Sequence, residues 1–401
     1  MKIVFIAAAN LPIPSAKGGA TETLVTNLIE QNEIEKKHDF IIFSPFDSDA
    51  IQFSKKYKKS NFFFFQPIFI KRWFYNIRFN ITRVLRKLTK GYFMQKYGLI
   101  DYVCKTLKKI DYDLVIVEGN PMYIRQIYKK LKTKVYFHIH TDVFNYSGPI
   151  DKKKIMSCIS GFISVSISEA NNIKTAANEV PPIYVLKNAI DINKFNRMNF
   201  SDDLITAKRK ELCLNDDDFV LVYCGRVVEE KGVLEIVQAL KCISNKIKLI
   251  IIGSSWFGEN NITNYIEKIS HESESIKNRI VFTGYIKNDE LPIYYCLSDL
   301  SIFPSRYNET AGLVVLESLA CGTPAITPDF GGMREFAPET SCYFIDTRKD
   351  CKNHIIEIIN HILVHNEEYL SKKEKARESI ELNSCENYYK NFDSILEDLS
   401  K

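Results

Sequence analysis

The sequence predicts an α/β protein with two doubly wound parallel-sheet domains. Apolar runs of strand length alternate with amphipathic segments along the chain, which is typical of a parallel sheet covered by helices on both faces. This pattern stops in a polar, charged stretch at residues 193–218 and then restarts. The length of 401 residues also fits two or three domains, at roughly 150 residues per domain.

Six apolar runs predict the strands of the first domain. They are Lys2–Ala8, Phe40–Ser44, Leu114–Val117, Val135–His140, Phe162–Val165 and Tyr184–Leu186. The first run is similar in length to the apolar region of a signal peptide, but its charged part is a single lysine. A buried first strand is therefore the better interpretation.

Six further runs predict the strands of the second domain. They are Val220–Cys224, Leu249–Ile252, Ile280–Phe282, Leu300–Phe303, Ala325–Thr327 and Tyr343–Ile345. The final stretch has helical spacing, with aromatic side chains on one side. We therefore assign residues 1–195 and 196–383 to the two domains and residues 384–401 to a terminal helix.

Composition excludes several classes of protein. Hydrophobic residues make up 45% of the chain and charged residues 26%, so a disordered or low-complexity protein is excluded. The ten cysteines include no C-x-x-C pair, which argues against a zinc ribbon and fits a reducing cytoplasm. The most apolar stretch, residues 62–70, is broken by Gln66 and Pro67 and is far shorter than the ~20 residues of a membrane span.

Positive charge is concentrated in residues 50–100, which we call the basic aromatic segment. It has no Asp or Glu and twelve cations: Lys55, Lys56, Lys58, Lys59, Lys71, Arg72, Arg78, Arg83, Arg86, Lys87, Lys90 and Lys96. Aromatic residues are interleaved with them, including the run at 62–65. Two interpretations stay open: a solvated face over a helical hairpin with an aromatic core, or a surface for anionic lipid or a lipid-linked substrate. No recognition motif for nucleic acid accompanies the segment.

Candidate site residues of the first domain follow two of its strands. Open parallel sheets bind ligands beyond the carboxyl ends of their strands. Gly18 and Gly19 precede a helix predicted to begin near Ala20, where the backbone can approach a phosphate. Alternation places His138 and His140 on one face of a strand, which allows a metal pair, a structural role or substrate contact. Because no acidic or cysteine ligand has metal-like spacing, we predict no metal.

The second domain offers two cations and two carboxylates. Arg226 and Lys231 follow its first strand, and together a guanidinium fork and an ammonium suit a diphosphate. Glu309 is predicted in the loop before a helix, and Glu317 follows eight residues later. Eight helical steps leave them only ~80° apart in projection, so both carboxylates can face one pocket. Glu317 lies in an otherwise apolar helix, so its carboxylate requires a dedicated partner such as paired ribose hydroxyls.

These segments, taken in order, resemble glycosyltransferase family 4. The resemblance rests on the Gly18-Gly19 loop, on Gly225-Arg226 with Lys231-Gly232, on residues 309–317 and on residues 320–324. It extends to the segments 187–191 and 331–335 and so covers nearly the whole chain. The family implies a GT-B fold of two facing Rossmann-like domains, with the terminal helix crossing back to the first domain.

The resemblance also implies roles for individual residues. Arg226 and Lys231 hold the donor diphosphate, Glu317 accepts the ribose hydroxyls, and Glu309 contacts hydroxyls of the transferred sugar. Backbone N–H groups that meet the phosphate at the helix N-terminus belong to Ala311, Gly312 and Leu313. Gly18 and Gly19 lie near the diphosphate in such enzymes, and His140 lies beside the anomeric carbon.

The implied reaction is transfer with retention from a nucleoside diphosphate sugar, by default UDP-linked, to a glycan or lipid-linked acceptor in cell-surface polysaccharide biosynthesis. A front-face mechanism without metal or other cofactor is expected, in a cytoplasmic protein that contacts the inner face of the membrane through residues 50–100. A nucleotide-sugar epimerase of the same fold, a non-enzymatic membrane or nucleic-acid binding protein, and a glycosidase using Glu309 and Glu317 are the alternatives. A NAD-dependent enzyme is disfavoured because no G-x-G-x-x-G follows the first strand.

Overall fold

The computed structural model of the chain describes residues 1–8, 11–67, 69–90, 97–142, 144, 151–254 and 263–400. Contacts divide it into a first unit, Met1–Asn188 with Cys385–Lys401, and a second unit, Ala189–Ser384. Each unit contains one parallel sheet. Residues 189–195, which we expected in the first domain, group with the second unit because Ile190 and Phe195 are buried in its core.

The first unit has a seven-stranded parallel sheet in the order β3-β2-β1-β4-β5-β6-β7. Its strands are β1 (Lys2–Ile6), β2 (Asp39–Pro45), β3 (Ser60–Phe65), β4 (Leu114–Glu118), β5 (Val135–Ile139), β6 (Gly161–Ser164) and β7 (Ile183–Val185). Its helices are α1 (Ala20–Glu35), α2 (Ser48–Ser54), α3 (Phe69–Leu88), α4 (Gly98–Leu107), α5 (Ile124–Leu131), α6 (Lys152–Met156) and α7 (Ile167–Thr175). The central strands are largely apolar because helices cover both of their faces.

The second unit has a six-stranded parallel sheet in the order β10-β9-β8-β11-β12-β13. Its strands are β8 (Phe219–Cys224), β9 (Ile247–Ile252), β10 (Ile280–Gly284), β11 (Leu300–Ile302), β12 (Ala325–Pro328) and β13 (Cys342–Ile345). Its helices are α8 (Asp202–Glu211), α9 (Val233–Leu240), α10 (Asn264–Ser273), α11 (Leu291–Cys296), α12 (Leu313–Ala320), α13 (Gly331–Glu335), α14 (Cys351–Val364) and α15 (Asn366–Lys375). A hydrophobic core lies on each face of this sheet.

All twelve predicted strands are present, with ends displaced by no more than two residues. One strand, β3, was not predicted. It contains the run of four phenylalanines and pairs with β2 at the edge of the sheet. Phe63 and Phe65 pack against the core, while Phe62 and Phe64 stack on each other at a centroid distance of 6.1 Å. Because both faces of this strand are aromatic, it lacks the polar alternation by which a half-buried edge strand is identified.

Helix α3 follows β3 in the basic aromatic segment and has an exposed apolar stripe. The stripe consists of Trp73, Ile77, Ile81, Val84 and Leu88, which are 38% to 75% exposed. At 100° per residue these positions fall within an arc of about 80° on the helix. The interpretation of the aromatics as core is thus correct for Phe63 and Phe65 and wrong for Trp73, which is 67% exposed.

The last helix, α16 (Cys385–Ser400), belongs to the first unit and packs against α1. The Tyr389 hydroxyl donates to Asn32 Oδ1 at 2.7 Å, and Asp393 lies 2.9 Å from His38 Nε2. Phe392 is buried against Phe5 of β1, with ring centroids 5.9 Å apart. This helix therefore completes the core beside the first strand.

All ten cysteines have free thiols. Across the described ranges, no helix combines the length and the apolar character that crossing a membrane requires.

Candidate functional site

In the second unit, two loops meet beyond the carboxyl ends of the neighbouring strands β8 and β11. The backbones of the two loops come into close contact at Gly232. A Cβ at Gly232, where φ is +72°, would lie 2.4 Å from the carbonyl oxygen of Pro304. The Arg306 N–H donates to the carbonyl of Glu230 at 2.8 Å, which fixes the short 3₁₀ turn Glu229–Lys231 against the loop after β11. The fold thus brings residues that are about 75 positions apart into one loop cluster.

Lys231 and Glu309 form an ion pair across this cluster. Lys231 Nζ donates to Glu309 Oε1 at 2.5 Å, and the two side chains are 19% and 16% exposed. The sequence analysis named both residues but did not predict that they bond to each other. The pair neutralises a cation that a diphosphate would otherwise meet directly.

Arg226 lies in the turn directly after β8 and is half-buried. Its carbonyl oxygen accepts a hydrogen bond from the Tyr223 hydroxyl at 2.7 Å, which holds the backbone of the turn. No described residue forms an ion pair or a hydrogen bond with its guanidinium group. Within the described part of the second unit, Arg226 is therefore a cation that remains available for an anion.

The N-terminus of α12 adds backbone donors to the same cluster. Gly312 precedes the helix without a side-chain cap, and no described acceptor takes the N–H groups of Ala311, Gly312 or Leu313. Helix α13 packs closely behind this loop, because a Cβ at Gly332 would lie 2.1 Å from the carbonyl oxygen of Thr310. Unpaired N–H groups at the positive end of the helix dipole favour an anion.

Glu317 projects from α12 and is 9% exposed. The hydroxyl of Tyr295 donates to its Oε2 at 3.0 Å. Burial raises the pKa of Glu317 to about 7, opposed by Tyr295, Lys194 and Asn288. The sequence correctly indicated a carboxylate in an apolar setting, but it did not identify these three neighbours.

Glu309 lies in the loop before a helix, as predicted. Helix α12 begins only at Leu313, so the projection over eight helical steps does not describe how Glu309 and Glu317 are related, and Glu309 is held by Lys231. The Gly332 N–H donates to the carbonyl of Glu309 at 2.7 Å and fixes the backbone of this loop. The two carboxylates are therefore positioned by different elements.

The glycine loop of the first unit precedes α1 as predicted. Gly18 and Gly19 have φ values of +74° and +99°, a backbone region that side chains rarely adopt. A Cβ at Gly19 would lie 2.3 Å from Glu22 Oε2, so the Glu22 carboxylate folds back over this loop. Burial and, to a smaller extent, the nearby charge of Glu118 raise the pKa of Glu22 to about 7. Glu22 is not among the predicted site residues.

His138 and His140 share one carboxylate, that of Glu118. Glu118 Oε2 lies 3.0 Å from His138 Nδ1 and 2.7 Å from His140 Nε2. His138 lies in β5 and His140 directly follows it, and both turn to the same side, as the alternation indicated, while Glu118 comes from the end of the neighbouring strand β4. Sequence reasoning missed Glu118, although an acid that ends a strand of four apolar residues was a usable signal.

The electrostatics of this histidine cluster, Glu118 with His138 and His140, depend on its burial. Burial alone would raise the pKa of Glu118, but its contacts with the two histidines lower it to about 2. Burial and the neighbouring His138 lower the pKa of His140 to about 4, against the effect of Glu118. One ligand atom from each residue lies within 4.8 Å of the others, so these three side chains have a composition that could hold a metal ion.

Comparison with known proteins identifies the second unit. Residues 205–379 match the family model "Glycosyl transferases group 1". Spore coat protein SA of Bacillus subtilis is 24% identical over 92% of this chain and 91% of its own length. The lipopolysaccharide 1,2-N-acetylglucosaminetransferase of Salmonella typhimurium is 27% identical over 66% of this chain and 68% of its own.

A solved structure shares the whole fold. HepE of Anabaena, crystallised in complex with UDP and glucose, superposes with a TM-score of 0.75 at 19% sequence identity and covers 99% of each chain. The two parallel-sheet units are thus those of a GT-B protein. The family match thus covers residues 205–379, and together with the relatives that are named as glycosyltransferases it supports a transferase.

Proposed function

We propose that this glycosyltransferase is a retaining enzyme of family 4 that transfers a sugar from a UDP-linked donor to a glycan or lipid-linked acceptor of cell-surface polysaccharide. The observation that carries the proposal is the loop cluster of the second unit. There Arg226, whose guanidinium has no partner among the described residues, lies near a helix N-terminus without a side-chain cap and near the buried Glu317. The complex of HepE with UDP supports the choice of base. The lipopolysaccharide transferase among the relatives supports the class of acceptor.

In this proposal, the donor diphosphate binds the groups of this cluster that have no partner among the described residues. Arg226 supplies a planar fork of donors that fits two phosphate oxygens. The N–H groups of Ala311, Gly312 and Leu313 bind a third oxygen at the positive end of α12. Both contacts neutralise charge without a metal ion, and we propose that the reaction needs none.

The ion pair between Lys231 and Glu309 rearranges when the donor binds. A diphosphate carries more negative charge than one carboxylate and attracts the ammonium of Lys231 towards it. Glu309 then has an oxygen available to accept a hydroxyl of the transferred sugar. The pair thereby holds both side chains in place before the donor arrives, which reduces the ordering that binding requires.

Glu317 binds the ribose in this proposal. A carboxylate accepts hydrogen bonds from two adjacent hydroxyls, and the Tyr295 hydroxyl at 3.0 Å orients its Oε2. Because burial raises the pKa of Glu317 to about 7, a bound ribose that donates two hydrogen bonds favours the charged form. We therefore expect UDP binding to strengthen as the pH rises through neutrality.

Gly18, Gly19 and His140 act on the donor from the first unit. In our proposal the glycines allow the diphosphate close to the backbone, and His140 contacts the transferred sugar. Retention without a protein nucleophile follows a front-face path, in which the leaving phosphate accepts the proton of the attacking hydroxyl. Arg226 and Lys231 stabilise the charge on that phosphate, and losing one such contact costs about 2 to 4 kcal/mol, or roughly 30- to 1,000-fold in rate.

We further propose that the apolar stripe of α3 contacts the anionic face of a membrane that carries the acceptor. Five apolar side chains of one helix face are exposed, and the exposed cations Arg72, Arg83 and Lys87 lie on the same helix. An amphipathic helix with this composition binds in the interface of anionic lipids. The stripe occupies about 80° of arc, which is a narrow but continuous contact.

The test is nucleotide release from UDP-, GDP- and ADP-sugars in the presence of EDTA, with and without bacterial lipid extract as acceptor. The proposal is supported if UDP is released from one UDP-sugar only when acceptor is present. NMR should then show an α-linked product from an α-linked donor. Release of nucleotide together with an epimerised sugar and no acceptor would establish the epimerase instead. Turnover only with a divalent metal, or an inverted product, would contradict the mechanism.

A further inference from the structure

The histidine cluster is buried in the first unit, and His140 is its most exposed member. Glu118 is 0% exposed, and the side chains of His138 and His140 are 2% and 6% exposed. In the described part of the chain, the two histidines are the donors to this carboxylate, and no Lys or Arg pairs with it. A buried carboxylate without a cation depends on these two hydrogen bonds, so their geometry is strongly determined.

The donors and acceptors of the cluster follow from the state of Glu118. An ionised carboxylate only accepts hydrogen bonds, so both nitrogens that face Oε2 must carry a proton. A neutral imidazole has one N–H, and the remaining nitrogen then has a free lone pair. In their neutral forms, His138 is therefore protonated at Nδ1 and His140 at Nε2, which makes them opposite tautomers bound to one oxygen.

We propose that Glu118 is a positioning residue that fixes His140 as the Nε2–H tautomer, so that His140 Nδ1 accepts a hydrogen bond from a sugar hydroxyl. The assignment of the partner rests on the proposed function, whereas the assignment of the tautomer rests only on the cluster. A group that meets His140 Nδ1 must donate a hydrogen bond to it. A hydroxyl can do so and an ionised phosphate oxygen cannot, so the cluster discriminates the sugar from the diphosphate of the same donor.

A role for His138 follows from the same arrangement. Its Nδ1 lies 3.0 Å from Glu118 Oε2, and His140 Nε2 lies 2.7 Å from the same oxygen. The two imidazole rings are in contact, with centroids 4.0 Å apart and planes inclined by 48°. His138 is only 1% exposed and thus restrains both the carboxylate and the ring of His140 from within the core.

The direct test is long-range ¹H–¹⁵N NMR on the ¹⁵N-histidine-labelled full chain at pH 7.5, without donor or acceptor. Spectra of His138→Asn and His140→Asn assign the two residues. We expect the Nδ1–H pattern for His138 and the Nε2–H pattern for His140. The same tautomer on both, or an imidazolium on His140, would overturn the inference and leave the proposed function standing.

Two variants separate the tautomer from the charge. Glu118→Gln can place its carbonyl oxygen where Oε2 lies, so both tautomers persist. Glu118→Leu removes the acceptor, so the His138 Nδ1–H signal is lost. We expect kcat to fall about 100-fold in Glu118→Leu, with less than about a threefold change in the KM for the donor and an intermediate kcat in Glu118→Gln. Equal kcat in wild type and Glu118→Leu would refute the positioning role.

Metal analysis supplies the remaining alternative outcome. The three side chains could hold a divalent ion, and a bound ion would take the place of the two hydrogen bonds. The proposal would be overturned if the purified protein contains one equivalent of zinc, if Glu118→Leu lacks that zinc, and if chelation changes the histidine spectrum of the wild type. An unchanged histidine spectrum after EDTA supports it. If the protein does not bind UDP but both histidines show the expected tautomers, the proposed function is refuted and the tautomer assignment is not.

Discussion

Glu317→Gln should stabilise the second unit, and more so at high pH. Burial raises the pKa of Glu317 to about 7, from an ordinary value of 4.5. Between these two pH values the folded protein keeps a proton that the unfolded chain has lost, so the free energy of unfolding decreases as the pH rises. The variant has no ionisable group at this position, so its free energy of unfolding does not decrease for this reason as the pH rises.

The size of the effect follows from the two pKa values. A shift of one unit is worth about 1.4 kcal/mol, so the full penalty well above pH 7 is about 3 to 4 kcal/mol. At pH 5 only about 1 kcal/mol is present, because pH 5 lies just half a unit above the pKa of the unfolded glutamate. The stability of Glu317→Gln relative to wild type should thus grow by about 2 to 3 kcal/mol from pH 5 to pH 8.5. For a unit of roughly 200 residues this corresponds to about 5 to 10 °C in Tm.

Differential scanning calorimetry at pH 5 and pH 8.5, without nucleotide, measures this difference. The matched control is Glu357→Gln, because Glu357 is exposed on α14 and should change Tm equally at both pH values. The reasoning is refuted if the Tm difference between wild type and Glu317→Gln is the same at both pH values. A difference that shrinks with pH would mean that Glu317 is stabilised as an anion.

Four further predictions follow from the geometry. UDP affinity should rise from pH 5.5 to pH 8 in wild type and be flat in Glu317→Gln, measured by calorimetric titration. Glu309→Gln breaks the ion pair with Lys231, so kcat with the preferred donor should fall about tenfold or more while UDP affinity is kept; weakened UDP binding would contradict this. Gly332→Ala should cost more than about 3 kcal/mol, because its Cβ would lie 2.1 Å from a carbonyl oxygen; unchanged thermal unfolding would contradict this. Flotation with phosphatidylglycerol vesicles should drop at least tenfold in a Trp73→Ser, Ile81→Ser variant but not in the exposed control Met198→Ser; equal flotation of all three proteins would contradict the role of α3.

Much of the fold could be predicted because its strands are buried on both faces. Central parallel strands such as β1 and β9 are continuous apolar runs bounded by polar loops, and such runs are visible in a sequence. Edge strand β3 could not be predicted in this way, because aromatic side chains occupy both of its faces. The boundary between the units was misplaced because Ile190 and Phe195 enter a core whose other members lie far along the chain.

The candidate site was predictable where one short segment carries the chemistry. Glu317 stands out in an apolar helix, and Arg226 follows a strand directly. Interactions between distant segments gave no such signal. Glu118 meets His140 only because β4 and β5 are neighbours in the sheet, and Lys231 meets Glu309 only because two loops converge on Gly232. Sequence spacing contains neither of these contacts.

The most direct test of the donor site is calorimetric titration of UDP into the full chain with EDTA present. We expect one UDP per chain and a loss of affinity of about 30-fold in Arg226→Ala, equivalent to about 2 kcal/mol for a charge-assisted contact. Lys246→Ala is the matched control, since Lys246 pairs with Asp217 in an exposed position. Absence of metal-free UDP binding, or wild-type affinity in Arg226→Ala, would contradict the account.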